Sequence, residues 1–179
     1  MGWVTAAIYK GTPLEPSVKY SLQETRNVLI RMAYCRRLMR GGRALPLLVN
    51  GDSLDIQISV GNCTVLATSY DYFDGCHNRI YVLGPDGRAI DQLRMRDQFG
   101  PIREVQVISE HEIAFGYLGT NDRWRLRVDE EGFRSFSLSA LLMRPNRFLL
   151  SKRHCVVHRR KGPPWRPEAE SGLEETANP

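Results

Sequence analysis

The chain is predicted to be mainly β: an antiparallel meander of seven to nine strands, in two blade-like repeats, with one N-terminal amphipathic α-helix. Three observations lead there. From residue 52 onward apolar residues recur at every second position, the period of a strand with one buried face. The runs are short and separated by turns rich in Gly, Asp, Asn and Pro, with no helical pattern between them. Two stretches also repeat the same order of strands and turns.

Taken in order, residues 3–9 (WVTAAIY) suit a short strand, and the two prolines of GTPLEP end it. A helix is expected from Ser21. Ser21-Leu22-Gln23-Glu24 matches a capping box, in which Ser21 accepts from the Glu24 amide and Glu24 reaches back. Leu22, Val28, Leu29, Met32, Cys35 and Met39 follow at steps near three and four, an apolar stripe. Gly41-Gly42 would supply the left-handed stop, and Arg36, Arg37 and Arg40 would lie in the last turns, where the helix dipole favours cations.

Strands are then expected at LDIQISV (54–60), CTVLATSY (63–70), NRIYVLG (78–84), AIDQLRM (89–95), IREVQVIS (102–109), EIAFGYLG (112–119), DRWRLRV (122–128) and RSFSLSA (134–140). RFLLSKRHCVV (147–157) would add one more. Beyond Arg159 the chain turns basic and Pro-rich, then acidic and polar, so an extended or disordered tail is expected. Trp165, an aromatic between prolines, is its one docking anchor. The expected organisation is therefore 1–43, strand and basic helix packed on the core; 44–158, the β domain; and 159–179, the tail.

The repeat pairs residues 64–93 with 112–138. Each unit has a strand ending in an aromatic, a polar turn, a strand opening Asn/Asp-Arg, and an acidic Gly-containing turn before a third strand. Arg79 and Arg123 are 44 residues apart, and Gly87 and Gly132 are 45 apart. Pro85-Asp86-Gly87 suits a turn, since Pro presets φ and Gly accepts a positive one. A period of about 40–45 residues with several strands per unit is that of β-propeller blades. The segment NRIYVLGPDGRAI resembles blades of the NHL and strictosidine-synthase-like propeller families, which implies sheets stacked as blades. Two blades cannot close a propeller, so the units would form an open or sandwich-like sheet or be completed by other chains. The metal and catalytic motifs of those families have no counterpart here.

Composition sets the function classes. No apolar run approaches the roughly 20 residues of a membrane span. The N-terminus lacks a basic segment followed by an apolar one, and Ala6 stands where a myristoylation motif needs Ser or Thr. A cytoplasmic, bacterial-looking protein is expected. Cys35, Cys63, Cys76 and Cys155 show no C-x-x-C spacing and read as reduced apolar residues. Residues 1–43 hold eight bases and two acids, residues 44–151 eleven and fourteen, and residues 152–179 six and four. Arg outnumbers Lys by 21 to 4. Arg suits bidentate recognition of carboxylate and phosphate.

No nucleophile elbow, P-loop, dinucleotide fingerprint or H-E-x-x-H occurs, so a non-enzyme without cofactor is expected. Asp71, Asp74 and His77 in the loop YDYFDGCHN are the nearest to a metal set, though they lack calcium-loop spacing, and Asp, Gly and Asn suit a turn for backbone reasons. His154, Cys155 and His158 with Cys76 and His77 lack zinc-finger spacing. In DRWRLRV, Trp124, Leu126 and Val128 should face the core and Arg123, Arg125 and Arg127 the other side. Glu104, Glu112 and Asp129 are the expected cross-strand partners. Arg36, Arg37, Arg40, Arg123, Arg125, Arg127 and Trp165 are thus the candidate partner-binding residues. The expected function is a non-catalytic protein-binding module, of immunity-protein type for instance. The alternatives are a nucleic-acid or ribosome-associated protein and a subunit of a larger assembly.

Overall fold

The computed structural model describes residues 19–25, 34–72, 75–95, 100–134 and 152–162. Among these, eleven strands form three antiparallel sheets. The first sheet has the order β1-β2-β3, with β1 at Tyr20–Gln23, β2 at Cys35–Arg40 and β3 at Arg43–Asn50. The second is the meander β4-β5-β6-β7: Ser53–Val60, Cys63–Tyr72, Gly75–Leu83 and Ala89–Met95. The third repeats that order in β8-β9-β10-β11: Ile102–Ser109, Glu112–Tyr117, Arg123–Phe133 and Arg153–Arg160. Strand β4 lies beside β8, and β7 beside β11. No helix among the described residues is long and apolar enough to cross a membrane.

The second sheet is the centre of the structure because it is apolar on both faces. Val65, Ala67, Ile80 and Val82 pack against Phe115, Trp124, Leu126 and Val128 of the third sheet. Leu66, Tyr81 and Leu83 pack the other way, against Tyr20, Leu38, Leu47 and Val49 of the first. Full burial of such a side chain contributes about 1.5–3 kcal/mol.

The mainly β expectation holds, and the strands from β4 to β10 fall where the two-residue period places them, with ends shifted by a few residues. The Pro85-Asp86-Gly87 turn forms as expected, with Gly87 at φ 76° and its amide donating to Gly84 O at 2.9 Å. The helix reading needs correction at both ends, since Tyr20–Gln23 and Cys35–Arg40 are strands. Residues 26–33 between them, with Val28, Leu29 and Met32, lie outside the described residues. The physical reason is a pairing that the sequence does not reveal: Leu38 sits opposite Leu22 and is driven fully inside, while its neighbour Arg37 is exposed. Gly41 and Gly42, at φ 53° and 80°, are not a helix stop. They form the two-residue loop between the paired Arg40 and Arg43, where a tight hairpin needs two positive φ values.

Strand β3 was not anticipated, because Pro46 argues against a strand; it is tolerated at a sheet edge. Since β3 pairs with β2, residues on both sides of position 43 share one sheet. The last of the described strands is β11, which runs to Arg160 instead of stopping at 157. Residues 3–9, 135–151 and the tail beyond 162 lie outside the described residues, and with them the expected strand at 134–140.

Two carboxylates, buried Asp91 and half-buried Glu130, tie the second and third sheets together. Asp91 on β7 accepts the amides of His154 (2.8 Å) and Cys155 (3.0 Å) on β11. Glu130 on β10 accepts the amide (2.7 Å) and side-chain amide (3.0 Å) of Asn62 in the β4–β5 turn. Replacing Asp91 by Ala leaves two amides without that acceptor, each costing about 1–3 kcal/mol. Urea denaturation should therefore show Asp91→Ala destabilised by about 2–6 kcal/mol, and Asp91→Asn by less. A midpoint equal to that of the unsubstituted chain would show that the lock contributes nothing.

Candidate binding surface

Strand β10 alternates as its sequence requires. Trp124, Leu126 and Val128 are buried, and Arg123, Arg125 and Arg127 are exposed on the outer face of the third sheet. The register then decides what these arginines meet. On β11, Arg160 lies directly opposite Arg123, His158 opposite Arg125 and Val156 opposite Arg127. On β9, Ala114 lies opposite Arg125 and Glu112 opposite Arg127.

Two of the three expected carboxylates take part. Glu104 pairs with Arg123, and Glu112 with Arg125 at 3.6 Å. The two guanidinium side chains are still 58% and 63% exposed, so both pairs are open to solvent and hold orientation more than they add stability. Asp129 is used differently: its side chain accepts the Gly132 amide at 2.9 Å. Among the described residues no carboxylate pairs with Arg127 or Arg160. Like charges directly opposite each other destabilise a sheet, so the Arg123–Arg160 rung runs against the stability of the free chain.

The end of β11 is held in place. Asp122 accepts from Arg159 Nε at 2.6 Å and from the Gly162 amide at 3.0 Å, and the Arg159 guanidinium lies 5.5 Å from the centre of the Trp124 ring. Burial alone would raise the Asp122 pKa, but the Gly162 amide and Arg159 outweigh it and hold the carboxyl below its ordinary value. Arg160, next in sequence, is therefore presented from a fixed strand.

The other candidates do not join this face. Arg36, Arg37 and Arg40 lie on β2, in the first sheet, with the second sheet between them and β10. Arg36 pairs with Glu24 at 3.7 Å, Arg40 donates to Pro85 O at 3.2 Å and lies over the Tyr20 ring, and Arg37 is exposed. Asp71 and His77 flank the β5–β6 turn, with His77 exposed opposite Tyr70, while Asp74 and Trp165 lie outside the described residues. Among the described residues, no three His, Cys, Asp or Glu side chains converge as metal ligands. His154 and His158 occupy outward positions on β11, and Cys155 is buried between them. Arg160 was missed as a surface residue, and the alternation of Cys155, Val157 and Arg159 with Val156, His158 and Arg160 was the available signal.

Comparison with protein-family models, with curated proteins and with solved structures finds no match to this chain.

The lowered Asp122 pKa sets a pH dependence. Its stabilisation is fully present above the ordinary aspartate value of about 3.9 and is lost as pH falls through the lower folded value. Asp122→Asn should cost about 1–3 kcal/mol near neutral pH, with the difference from the unsubstituted chain shrinking below about pH 3.9. Denaturation midpoints measured across pH check this, and a difference that does not depend on pH would rule out the clamp.

Proposed function

We propose that the chain is a non-catalytic protein-binding module that docks an acidic protein surface on the outer face of the third sheet. One observation carries the reading: β10 and β11 place Arg123, Arg125, Arg127, His158 and Arg160 on adjoining rungs of one exposed face, with carboxylate partners for only Arg123 and Arg125 among the described residues. Arginine is enriched among the few residues that dominate binding energy. Here Glu104 and Glu112 hold two of the forks in position, so less side-chain freedom is lost on binding. Exposed Ile108 at the end of β8 and Leu118 after β9 add apolar area in the same sheet.

Stacking of copies is disfavoured by charge. The chain resembles successive propeller blades in its two four-stranded meanders, and front-to-back stacking would set the third sheet of one copy on the first sheet of the next. On the outer side of that sheet stands exposed Arg37, whereas Arg36 and Arg40 share the side of buried Leu38, so Arg37 is the cation that the β10–β11 arginines would meet. A monomeric mass by light scattering is expected; a concentration-dependent oligomer would favour an assembly subunit instead.

The binding test uses the full chain and the triple variant Arg125→Ser, Arg127→Ser, Arg160→Ser as baits in host extract. The unsubstituted chain should retain a partner with an acidic surface after nuclease treatment. The variant, with its melting temperature unchanged, should bind that partner at least roughly tenfold more weakly. Equal capture by the variant removes this face from the function. Capture abolished by nuclease, with a steep salt dependence, would assign the face to nucleic acid.

A further inference from the structure

A second arrangement lies elsewhere, on the face of the second sheet that meets the first. On that face the apolar rung Leu66–Tyr81 is followed by Thr68–Arg79 and then by Tyr70–His77. Arg79 is half-buried, and its Nε donates to Asn50 Oδ1 at 3.1 Å. Asn50 is itself fixed at the end of β3: its amide donates to the Tyr81 hydroxyl at 2.8 Å, and its carbonyl accepts from Thr68 Oγ1 at 2.6 Å. The guanidinium is thus positioned through one edge, and among the described residues no acceptor takes its two terminal amino groups. Directly opposite Arg79, on β7, stands exposed Arg94. Among the described residues no carboxylate pairs with either. Residues so opposed have Cβ atoms about 4.5–5.5 Å apart, and like charges there are destabilising.

An aromatic surface adjoins this pair. Tyr70 is the diagonal neighbour of Arg79 across the β5–β6 pair, within reach of a long side chain. Its ring lies 3.8 Å from that of Tyr34, at 34°. Tyr34 is 45% exposed and has φ 53°, a left-handed conformation that is an outlier for a bulky residue. The hydrogen bond between the two hydroxyls is the first cause of a Tyr70 pKa pushed up to about 12, ahead of burial, the Tyr34 and Asp52 charges and the opposing effect of Arg36. The Tyr70 phenol is therefore neutral near pH 7.

We propose that this cluster binds a small ligand carrying a phosphoryl group on a planar ring, with Arg79 and Arg94 taking the oxyanion and the exposed Tyr34 ring taking the planar ring. A carboxylate satisfies one guanidinium fork with its two oxygens, whereas a phosphoryl group has three and can bridge two. Aromatic stacking accounts for the exposed tyrosine and is tolerant of ring identity. The site is distinct from the β10–β11 face, and the two are tested by different substitutions.

Titration calorimetry on the full chain at fixed salt, with phenyl phosphate, inorganic phosphate and benzoate as probes, decides the matter. Phenyl phosphate should bind most tightly. Arg79→Gln should weaken it at least roughly tenfold, the loss of a charge-assisted hydrogen bond. Arg94→Gln, at an exposed position where folding is not at risk, should weaken it in the same direction. Tyr34→Leu should remove the advantage of phenyl phosphate over phosphate while phosphate still binds. Arg125→Ser with Arg127→Ser and Arg160→Ser should leave the affinity unchanged. Absence of phenyl phosphate binding up to about 1 mM overturns the proposal. So does an affinity that both Gln variants leave intact, or benzoate binding as tightly as phenyl phosphate.

Discussion

The second sheet carries apolar side chains on both faces over the consecutive rungs Val65–Val82, Leu66–Tyr81 and Ala67–Ile80, and it is unstable unless both faces are covered. The other two sheets meet that requirement. The third covers one face with Phe115, Trp124, Leu126 and Val128, and the first covers the other with Tyr20, Leu38, Leu47 and Val49. Polar groups crossing these seams must then find partners, because an unmet buried donor costs about 1–3 kcal/mol. The Tyr81 hydroxyl accepts the Asn50 amide across one seam, and Asp91 accepts two β11 amides across the other. Both proposed surfaces lie where this apolar pattern ends: one on an outer face that no further sheet covers among the described residues, the other where Thr68 and Arg79 follow Leu66 and Tyr81 on the face toward the first sheet.

The same packing explains how a segment with more acids than bases presents a cationic face. Residues 44–151 hold fourteen acids and eleven arginines. Asp91 and Asp122 are buried on backbone amides and on Arg159, and half-buried Glu130 is taken up by Asn62. A carboxylate is an acceptor with two oxygens, so it suits buried amide donors that an arginine cannot serve. The arginines of β10 are left outward by the two-residue period. Net charge by segment is therefore a poor guide to the sign of a given face, and the acidic balance of the β region does not argue against an anionic partner.

Much of the strand order could be read from the sequence, because burial of one face imposes a period of two whatever the partner strand is. The inward set Trp124, Leu126 and Val128 and the turn at Gly87 depend only on local chemistry, and both are found. At its two ends the helix expected from Ser21 gives way where local and tertiary preferences compete: a capping box and a three-to-four spacing do not exclude strands at 20–23 and 35–40 when Leu22 and Leu38 gain more by pairing over the second sheet. Strand β3 was hidden by Pro46. The opposed pairs Arg123–Arg160 and Arg79–Arg94 were not legible at all, since they depend on register between strands.

Register also accounts for the one strained residue on the β10–β11 sheet. From buried Ile102, strict alternation would aim Glu104 into the core and Val105 outward. Glu104 instead adopts φ 54°, the β8–β9 register shifts between Arg103 and Gln106, and Val105 is buried while Glu104 is exposed. A bulge of this kind inserts one extra residue and re-aims the side chains that follow. The left-handed conformation costs on the order of 1–3 kcal/mol. The alternative is worse, because an unpaired carboxylate in the core costs several kcal/mol, and Val105 would lose its burial. By turning outward, Glu104 reaches Arg123 and draws that guanidinium toward β8, away from Arg160 on the opposite side of β10. The strain at Glu104 thus keeps two arginines apart on the face where the partner is proposed to dock, and leaves Arg160 to meet it.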